Sequence, residues 1–207
     1  MIKEKNILWD FDGVILDSME VRSWGFREIF KDFSSELVDK LIEYHLENGG
    51  LSRYVKIRYM YETLLGKSIT DEEVLEYAEN FSKLMKIELT NPKNLIMDAV
   101  DFIKENYQNY NFHIVSGSDQ KELRFLCKEL KIEQYFISIH GSPTPKKQLV
   151  KDLMMKHNYE ISATSLIGDS INDYEAAVNN SIKFMGYNNV DLKKVTNNYI
   201  VHFANEL

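Results

Sequence analysis

Short apolar segments alternate with helix-like stretches over the second half of the chain, and this alternation constrains the fold most. The segments are NFHIVSG (111–117), YFISIHG (135–141), TSLIGD (164–169) and IKFMGY (182–187), with NILWDF (6–11) near the N-terminus and YIVHF (199–203) near the end. They lack polar alternation, which is typical of strands buried on both faces. Helix-like stretches at 119–130, 146–157 and 172–180 separate them. The sequence therefore predicts an α/β fold with a doubly wound parallel sheet.

The region between the first two predicted strands has a different pattern. Four stretches within residues 18–91 carry apolar residues at three- and four-residue spacing, which predicts four helices. Thr70 and Glu73 form a plausible capping box, and Asn91-Pro92 marks a return to the sheet. We therefore expect a core of residues 1–16 and 93–207 and an inserted helical domain of residues 17–92.

Composition excludes several classes of function. The chain has 207 residues and a formal net charge of −7, and it contains no Lys/Arg run of the kind that binds nucleic acid. It has no long apolar segment typical of a signal peptide or a membrane span. A single cysteine, Cys127, permits neither an internal disulfide nor a four-cysteine metal site. We expect a cytoplasmic protein with no nucleic-acid or membrane partner.

In doubly wound sheets, ligands bind at the carboxyl ends of the strands. Polar residues occupy these ends in the predicted sheet. Asp10 and Asp12 follow the first strand, Ser116 and Gly117 the second, and Asp169 the fourth. A lysine, Lys146 or Lys147, lies at the start of the 146–157 helix. Clustered carboxylates need a cation, and Mg²⁺ prefers one or two carboxylates with several waters. The hydroxyl, the amides and the ammonium would suit a tetrahedral oxyanion, so the edge indicates phosphoryl transfer.

The same residues carry a family resemblance. DFDGVILDS resembles the DxDGxxxDS signature of the haloacid dehalogenase superfamily, VSGS its second motif, Lys146 its third and GDSINDYEAA its fourth. The match covers roughly residues 5–16 and 93–187, and the insertion resembles the class I helical cap of phosphoglycolate phosphatases, sugar phosphatases and the similar β-phosphoglucomutase branch. The resemblance implies a Rossmann-like core with a cap.

The resemblance also implies residue roles. Asp10 would be the nucleophile that forms an aspartyl-phosphate, and Asp12 the general acid and then base. Mg²⁺ would be held by the Asp10 carboxylate, the Asp12 backbone carbonyl and Asp169, with Asp173 in support. The phosphoryl oxygens would be held by Ser116, the Gly117 amide and Lys146. Proline follows the third-motif lysine in many relatives but precedes it here, so Lys147 stays an alternative to Lys146.

The predicted substrate is a small phosphorylated metabolite. By resemblance, we expect a phosphosugar or a polyol or amino-alcohol phosphate of the kind used in surface-polysaccharide synthesis. Asn48, Gly50 and Arg53 form a polar loop of the cap that we expect to face the active site. One alternative is a phosphomutase of the β-phosphoglucomutase type. Another is a non-catalytic regulator resembling a receiver domain, against which Asp12 argues because a receiver needs no acid for a leaving group.

Overall fold

The core is a sheet of parallel strands with helices on both faces. The computed structural model describes residues 2–205. Over this range the strands follow the order β3-β2-β1-β4-β5-β6, and every neighbouring pair is parallel. The strands are β1 Asn6–Trp9, β2 Asn111–Asp119, β3 Ser138–Ser142, β4 Thr164–Gly168, β5 Lys183–Tyr187 and β6 Tyr199–Ile200. The predicted doubly wound α/β fold is confirmed.

Helices fill the predicted insertion and the connections between strands. Within the described residues, the insertion contains α1 Met19–Ile29, α2 Ser35–Glu47, α3 Arg53–Arg58 with a wider π-helical continuation at Tyr59–Leu64, and α4 Asp71–Glu88. The core contains α5 Met97–Asn106, α6 Gln120–Glu129, α7 Lys146–His157 and α8 Ile171–Asn179. The α4 helix begins with the capping box that Thr70 and Glu73 suggested.

Three elements differ from the sequence prediction. The α5 helix was missed, although Ala99, Val100, Phe102 and Ile103 give it a buried face at helical spacing. The third strand begins at Ser138 rather than at residue 135, because Glu133–Tyr135 forms a 3₁₀ turn. The last strand is only two residues long, because Phe203–Asn205 turns away in another 3₁₀ segment.

Strand β1 lies at the centre of the sheet and is fully buried. Ile7 and Trp9 belong to the larger apolar cluster, whereas Leu8 belongs to the cluster on the opposite face under α7 and α8. This division follows from the two-residue period of a strand. The Trp9 ring packs edge-on to Phe112 with centroids 5.5 Å apart. Burial on both faces explains why the strand sequences lack polar alternation.

The chain leaves and re-enters the core at two paired segments. The Asp17 amide donates to the Asn94 carbonyl oxygen at 2.8 Å, and the Ile96 amide donates to the Ile15 carbonyl oxygen at 2.9 Å. The two connections to the inserted helices therefore lie side by side. None of the described helices has the length and apolar character needed to cross a membrane.

Candidate active site

The strand order reverses between β1 and β4, and the acidic residues meet at that point. Asp10 follows β1 and its amide donates to the Ile167 carbonyl oxygen of β4 at 2.9 Å. Carboxylate oxygens of Asp10, Asp169 and Asp173 lie within 4.8 Å of one another. Gly13 has a φ of +76°, and a Cβ there would overlap the Asp169 carboxylate. The glycine of the first motif therefore permits the close approach of Asp169.

Lys146 is the lysine that reaches the acidic cluster. It is buried at the start of α7, and its ammonium lies 2.7 Å from Asp10 Oδ1 and donates to Asp173 Oδ1. Burial alone would lower the pKa of Lys146, but the Asp10 and Asp173 carboxylates raise it above its usual value. Lys147 is exposed. The geometry therefore brings Lys146, rather than Lys147, into the site.

The carboxylates are crowded despite this lysine. Burial and the neighbouring charge of Asp173 raise the pKa of Asp10 to about 7, although Lys146 opposes the shift. Burial and Asp10 likewise raise the pKa of Asp169. Asp10 Oδ1 is buried and has no partner with hydrogen-bond geometry, since Lys146 meets it only as a close ion pair. An oxygen donor set with an unsatisfied carboxylate oxygen fits a hard divalent cation.

The oxygens of Asp173 are engaged by protein groups. Oδ1 accepts from Lys146, and Oδ2 accepts from the Ser170 amide at 3.0 Å and from Ser170 Oγ at 2.6 Å. The bond from the Ser170 amide is one half of the capping box of α8. A cation in this cluster would therefore find free carboxylate oxygens on Asp10 and Asp169, with Asp173 fixing Lys146.

Asp12 points away from the acidic cluster and toward hydroxyl and guanidinium groups. Its Oδ1 accepts from Ser18 Oγ and from Arg22 Nε at 2.7 Å, and its Oδ2 accepts from Ser118 Oγ at 2.5 Å. Burial raises the pKa of Asp12, but Arg22 and the two serines outweigh it, so the pKa is lowered. Asp12 is therefore held as a carboxylate by two groups from the insertion, Ser18 and Arg22, and by Ser118 from β2.

The second-motif residues lie at the end of β2. Ser116 is buried, and its Oγ accepts from the Ser118 amide at 3.1 Å. A Cβ on Gly117 would overlap the carbonyl oxygen of Gly50, and one on Gly50 would approach Ser170 Oγ to 2.8 Å. The cap loop therefore rests directly on the β2 terminus and on the start of α8. Glycine at both positions permits this contact.

A buried charge network joins the cap to the core. Glu122 of α6 is fully buried and accepts from Arg53 Nη1 at 2.6 Å, Arg53 Nη2 at 2.7 Å and Arg22 Nη1 at 3.1 Å. Burial raises the pKa of Glu122, but the two arginines outweigh burial, so the pKa is lowered below its usual value. Arg53 also donates to Ser82 Oγ at 2.6 Å and stacks over Phe81. Arg22 thus links Asp12 to Glu122.

The cap residues predicted to contact substrate differ in their position relative to the cavity. Arg53 and Gly50 line the cavity beside the acids. Asn48 is half-buried, and its amide donates to the Tyr44 carbonyl oxygen at 3.0 Å at the end of α2. Both terminal nitrogens of Arg53 are engaged, by Glu122 and Ser82. Substrate contact by these three residues stays a prediction.

Sequence reasoning missed several residues of the cavity. Ser118 belongs to the VSGS motif, but its bond to Asp12 was not predicted, although it follows Ser116 by two positions on the same strand face. Glu122 and Lys56 gave no local signal, since their partners come from other elements. The cavity is small, with a volume of about 30 Å³. Its lining includes Asp10, Asp12, Arg22, His45, Gly49, Gly50, Leu51, Arg53, Lys56, Ser116, Gly117 and Ser118.

The fold and this carboxylate-lysine site define a class of hydrolases. Residues 7–187 match the family model described as haloacid dehalogenase-like hydrolase, and the chain belongs to that family. The resemblance seen in the motifs is thus confirmed, as is the prediction of an enzyme of the hydrolase class. Comparison with curated proteins finds no match.

Solved structures show the same fold at low sequence identity. A predicted phosphatase from Clostridium acetobutylicum superposes with a TM-score of 0.76 at 16% identity, covering 98% of this chain and 95% of that one. A predicted phosphoglycolate phosphatase from Haemophilus somnus gives 0.73 at 18%, covering 100% and 97%. The HAD-hydrolase YfnB from Bacillus subtilis, solved bound to magnesium, gives 0.72 at 16%, covering 99% and 97%.

Replacing Glu122 by glutamine should destabilise the protein. The substitution leaves Arg22 and Arg53 buried without their shared counter-charge, which should cost about 3–5 kcal/mol of unfolding free energy. Urea unfolding followed by circular dichroism measures it. Asp39→Asn is the control, because the Asp39–Arg27 pair is half exposed and should contribute at most about 1 kcal/mol. Equal losses in the two variants would contradict a special role for the buried network.

Replacing Gly117 by alanine should prevent the cap loop from seating. The new methyl group would overlap the Gly50 carbonyl oxygen, and such overpacking costs about 1–3 kcal/mol. We expect kcat/KM to fall by about 10- to 100-fold. Gly49→Ala is the matched control, since a Cβ there meets only Met19 Cε at 3.8 Å. A Gly117→Ala enzyme as active as Gly49→Ala would show that this contact is not needed.

Proposed function

We propose that the chain is a magnesium-dependent phosphatase that hydrolyses a small phosphomonoester through an aspartyl-phosphate. The observation that carries the proposal is the position of Asp10. Its carboxylate lies 2.7 Å from the Lys146 ammonium and within 4.8 Å of oxygens from Asp169 and Asp173. A carboxylate beside one fixed cation and a site for a second is suited to attack on phosphorus.

In the first step an Asp10 oxygen forms a bond to phosphorus while the bond from phosphorus to the ester oxygen breaks. Lys146 offsets negative charge on the transferring group. The Ser116 hydroxyl and the Gly117 amide would hold its oxygens at the end of β2. Asp12 gives a proton to the departing oxygen, so the leaving group departs as an alcohol.

In the second step water attacks phosphorus and Asp12 accepts its proton. The phosphorus–Asp10 bond breaks and inorganic phosphate is released. The lowered pKa of Asp12 keeps the residue ionised between its bonds to Arg22 and Ser118, so it is able to accept a proton in this step. A dianionic phosphoryl group nearby raises the pKa of a carboxylate by like-charge repulsion. The arrival of substrate would therefore favour the protonated form that the first step needs.

Magnesium fits the acidic cluster. Asp10, Asp169 and the Asp12 backbone carbonyl would hold it, with Asp173 in support. When bound, the ion neutralises charge that builds up around the phosphoryl oxygens. The magnesium-bound structure of YfnB, which shares this fold, supports the choice of metal.

The helical cap would select the substrate. We propose that residues 17–92 form the cap domain and that its hinge lies at the paired segments around Asp17 and Ile96, where both connections cross. The small cavity and the two related structures described as phosphatases support a small metabolite ester. A sugar or polyol phosphate is compatible with this class.

Asp10→Asn should abolish turnover. An amide cannot act as the nucleophile, so phosphate release from a panel of phosphorylated metabolites should fall by at least about 1000-fold. Asp191→Asn, at an exposed position, is the control. Circular dichroism should show both variants folded. Substantial phosphate release by folded Asp10→Asn would refute the nucleophile, and an isomerised sugar phosphate as product would favour a mutase.

Removal of divalent metal should abolish activity, and Mg²⁺ should restore it. Because a ligand bound only by the folded state stabilises it, Mg²⁺ should also raise the unfolding temperature. Asp169→Asn should lose that increase, since it removes one of the carboxylates of the cluster. Differential scanning fluorimetry of chelator-treated protein measures both responses. Full activity in excess chelator would contradict the metal requirement.

A further inference from the structure

Glu122 is a fully buried carboxylate that the proposed reaction does not use. It lies in the first turn of α6 and accepts hydrogen bonds from two cap arginines, Arg53 and Arg22. Arg53 binds both of its oxygens, from Nη1 at 2.6 Å and from Nη2 at 2.7 Å, which is the strong two-point geometry of a guanidinium with a carboxylate. Arg53 alone therefore balances the charge of Glu122, and the added bond from Arg22 indicates a second role.

Arg22 is shared between Glu122 and Asp12. Its Nη1 donates to Glu122 Oε1 at 3.1 Å, and its Nε donates to Asp12 Oδ1 at 2.7 Å. Its Nη2 is buried and makes no hydrogen bond with the described residues. Nε and Nη2 lie on one edge of the guanidinium, so this edge could bind a carboxylate through two nitrogens. The contact with Asp12 uses only one of them and is therefore half of the usual two-point pair.

The turn that joins β2 to α6 restrains both partners of this half pair. Ser118 Oγ donates to Asp12 Oδ2 at 2.5 Å and so holds the second carboxylate oxygen. Glu122, four residues further along, holds Arg22 Nη1. The turn is itself fixed, because Asp119 is the N-cap of α6 and its Oδ1 accepts from the Glu122 amide at 2.9 Å. Both oxygens of Asp12 are thus positioned from one turn of the core, one directly and one through Arg22.

We propose that Glu122 is a positioning residue for Asp12 and that it acts through Arg22. The inference rests on the proposed phosphatase function, in which Asp12 gives its proton to the departing oxygen. By holding Arg22 Nη1, Glu122 prevents the guanidinium from completing its two-point bond to Asp12. Among the described residues Asp12 Oδ2 accepts from Ser118 alone, so it keeps a free lone pair that can carry the proton.

Loss of the Glu122 carboxylate should change how Arg22 binds Asp12. A guanidinium that is released at Nη1 and faces a single carboxylate should turn to bind it through two nitrogens, which is the stronger arrangement. Both oxygens of Asp12 would then be occupied, and the ester oxygen would lose its proton donor. The defect should be confined to proton transfer, because Glu122 makes no hydrogen bond to Asp10 or Lys146 within the described residues.

Two small phosphate compounds separate a positioning role from a structural one. Ethyl phosphate and acetyl phosphate have leaving groups of similar size, but ethanol departs only with a proton, whereas acetate departs as a stable anion. The ratio kcat/KM reports transition-state stabilisation relative to free enzyme and substrate, up to departure of the leaving group. A residue that positions the proton donor should therefore affect ethyl phosphate far more than acetyl phosphate. A purely structural residue should affect both equally.

Glu122→Met combined with Arg53→Met should impair ethyl phosphate selectively. Removal of both partners leaves no unpaired charge between them, so this variant should fold better than one that lacks Glu122 alone. We expect its kcat/KM to fall about 10- to 100-fold more for ethyl phosphate than for acetyl phosphate, a part of what a general acid contributes. Arg53→Met alone is the matched control, because Arg22 then keeps both Glu122 and Asp12. Its losses on the two compounds should be equal.

Two further variants test the route through Arg22 and guard against misfolding. Glu122→Asp keeps the charge that Arg53 balances but shortens the side chain by one methylene, so it should also lose ethyl phosphate hydrolysis preferentially. Addition of Arg22→Met to the double variant should reduce the preferential loss, because it removes the guanidinium that occupies Asp12. Circular dichroism identifies the folded variants. Equal losses on the two compounds in folded Glu122→Asp or in the folded double variant would overturn the inference.

The parent enzyme separates failure of this inference from failure of the proposed function. Asp10→Asn protein supplies the background rate, because acetyl phosphate also hydrolyses in water without an enzyme. Absence of phosphate release by the parent above that background from both compounds would refute the proposed phosphatase and this inference with it. Phosphate release by the parent, together with equal losses in the Glu122 variants, would overturn the positioning role alone.

Discussion

The ion pair of Lys146 with Asp10 and Asp173 is the interaction on which the site depends. Three aspartates from two strand ends and a helix share a small buried volume, and within the described residues Lys146 is the cation that touches two of them. Without it, burial and mutual repulsion would drive the carboxylates to their neutral forms. The lysine keeps the cluster partly compensated, and a dication would complete the compensation.

The cap is tied to the same chemistry through Arg22. One guanidinium binds Asp12 through Nε and Glu122 through Nη1, and Glu122 in turn binds Arg53. The residue proposed to carry the proton therefore obtains part of its charge environment from the cap. Seating of the cap and the protonation state of Asp12 are linked, because lifting α1 would remove the group that lowers its pKa.

The sequence was sufficient for the sheet, the insertion and the acidic edge, since these follow from local patterns. Apolar runs marked the strands, and Asp10, Asp169 and Lys146 occupied strand or helix ends whose position is set by the fold class. The choice of Lys146 over Lys147 needed coordinates, because both begin α7 and only the helix orientation separates them. The surroundings of Glu122, His45 and Lys56 could not be predicted, since each contacts side chains of other elements.

The backbone contact between Gly50 and Gly117 has a kinetic consequence. The loop lies against Gly117, whose amide is proposed to hold the phosphoryl oxygens, so we expect the release of a bound anion past this contact to need movement of the loop. Each catalytic cycle would then need one movement of this loop, and the rate of that movement would set an upper limit on turnover. A phosphorylated side chain on a folded protein would be excluded by the same loop, because it is too bulky to fit beneath it.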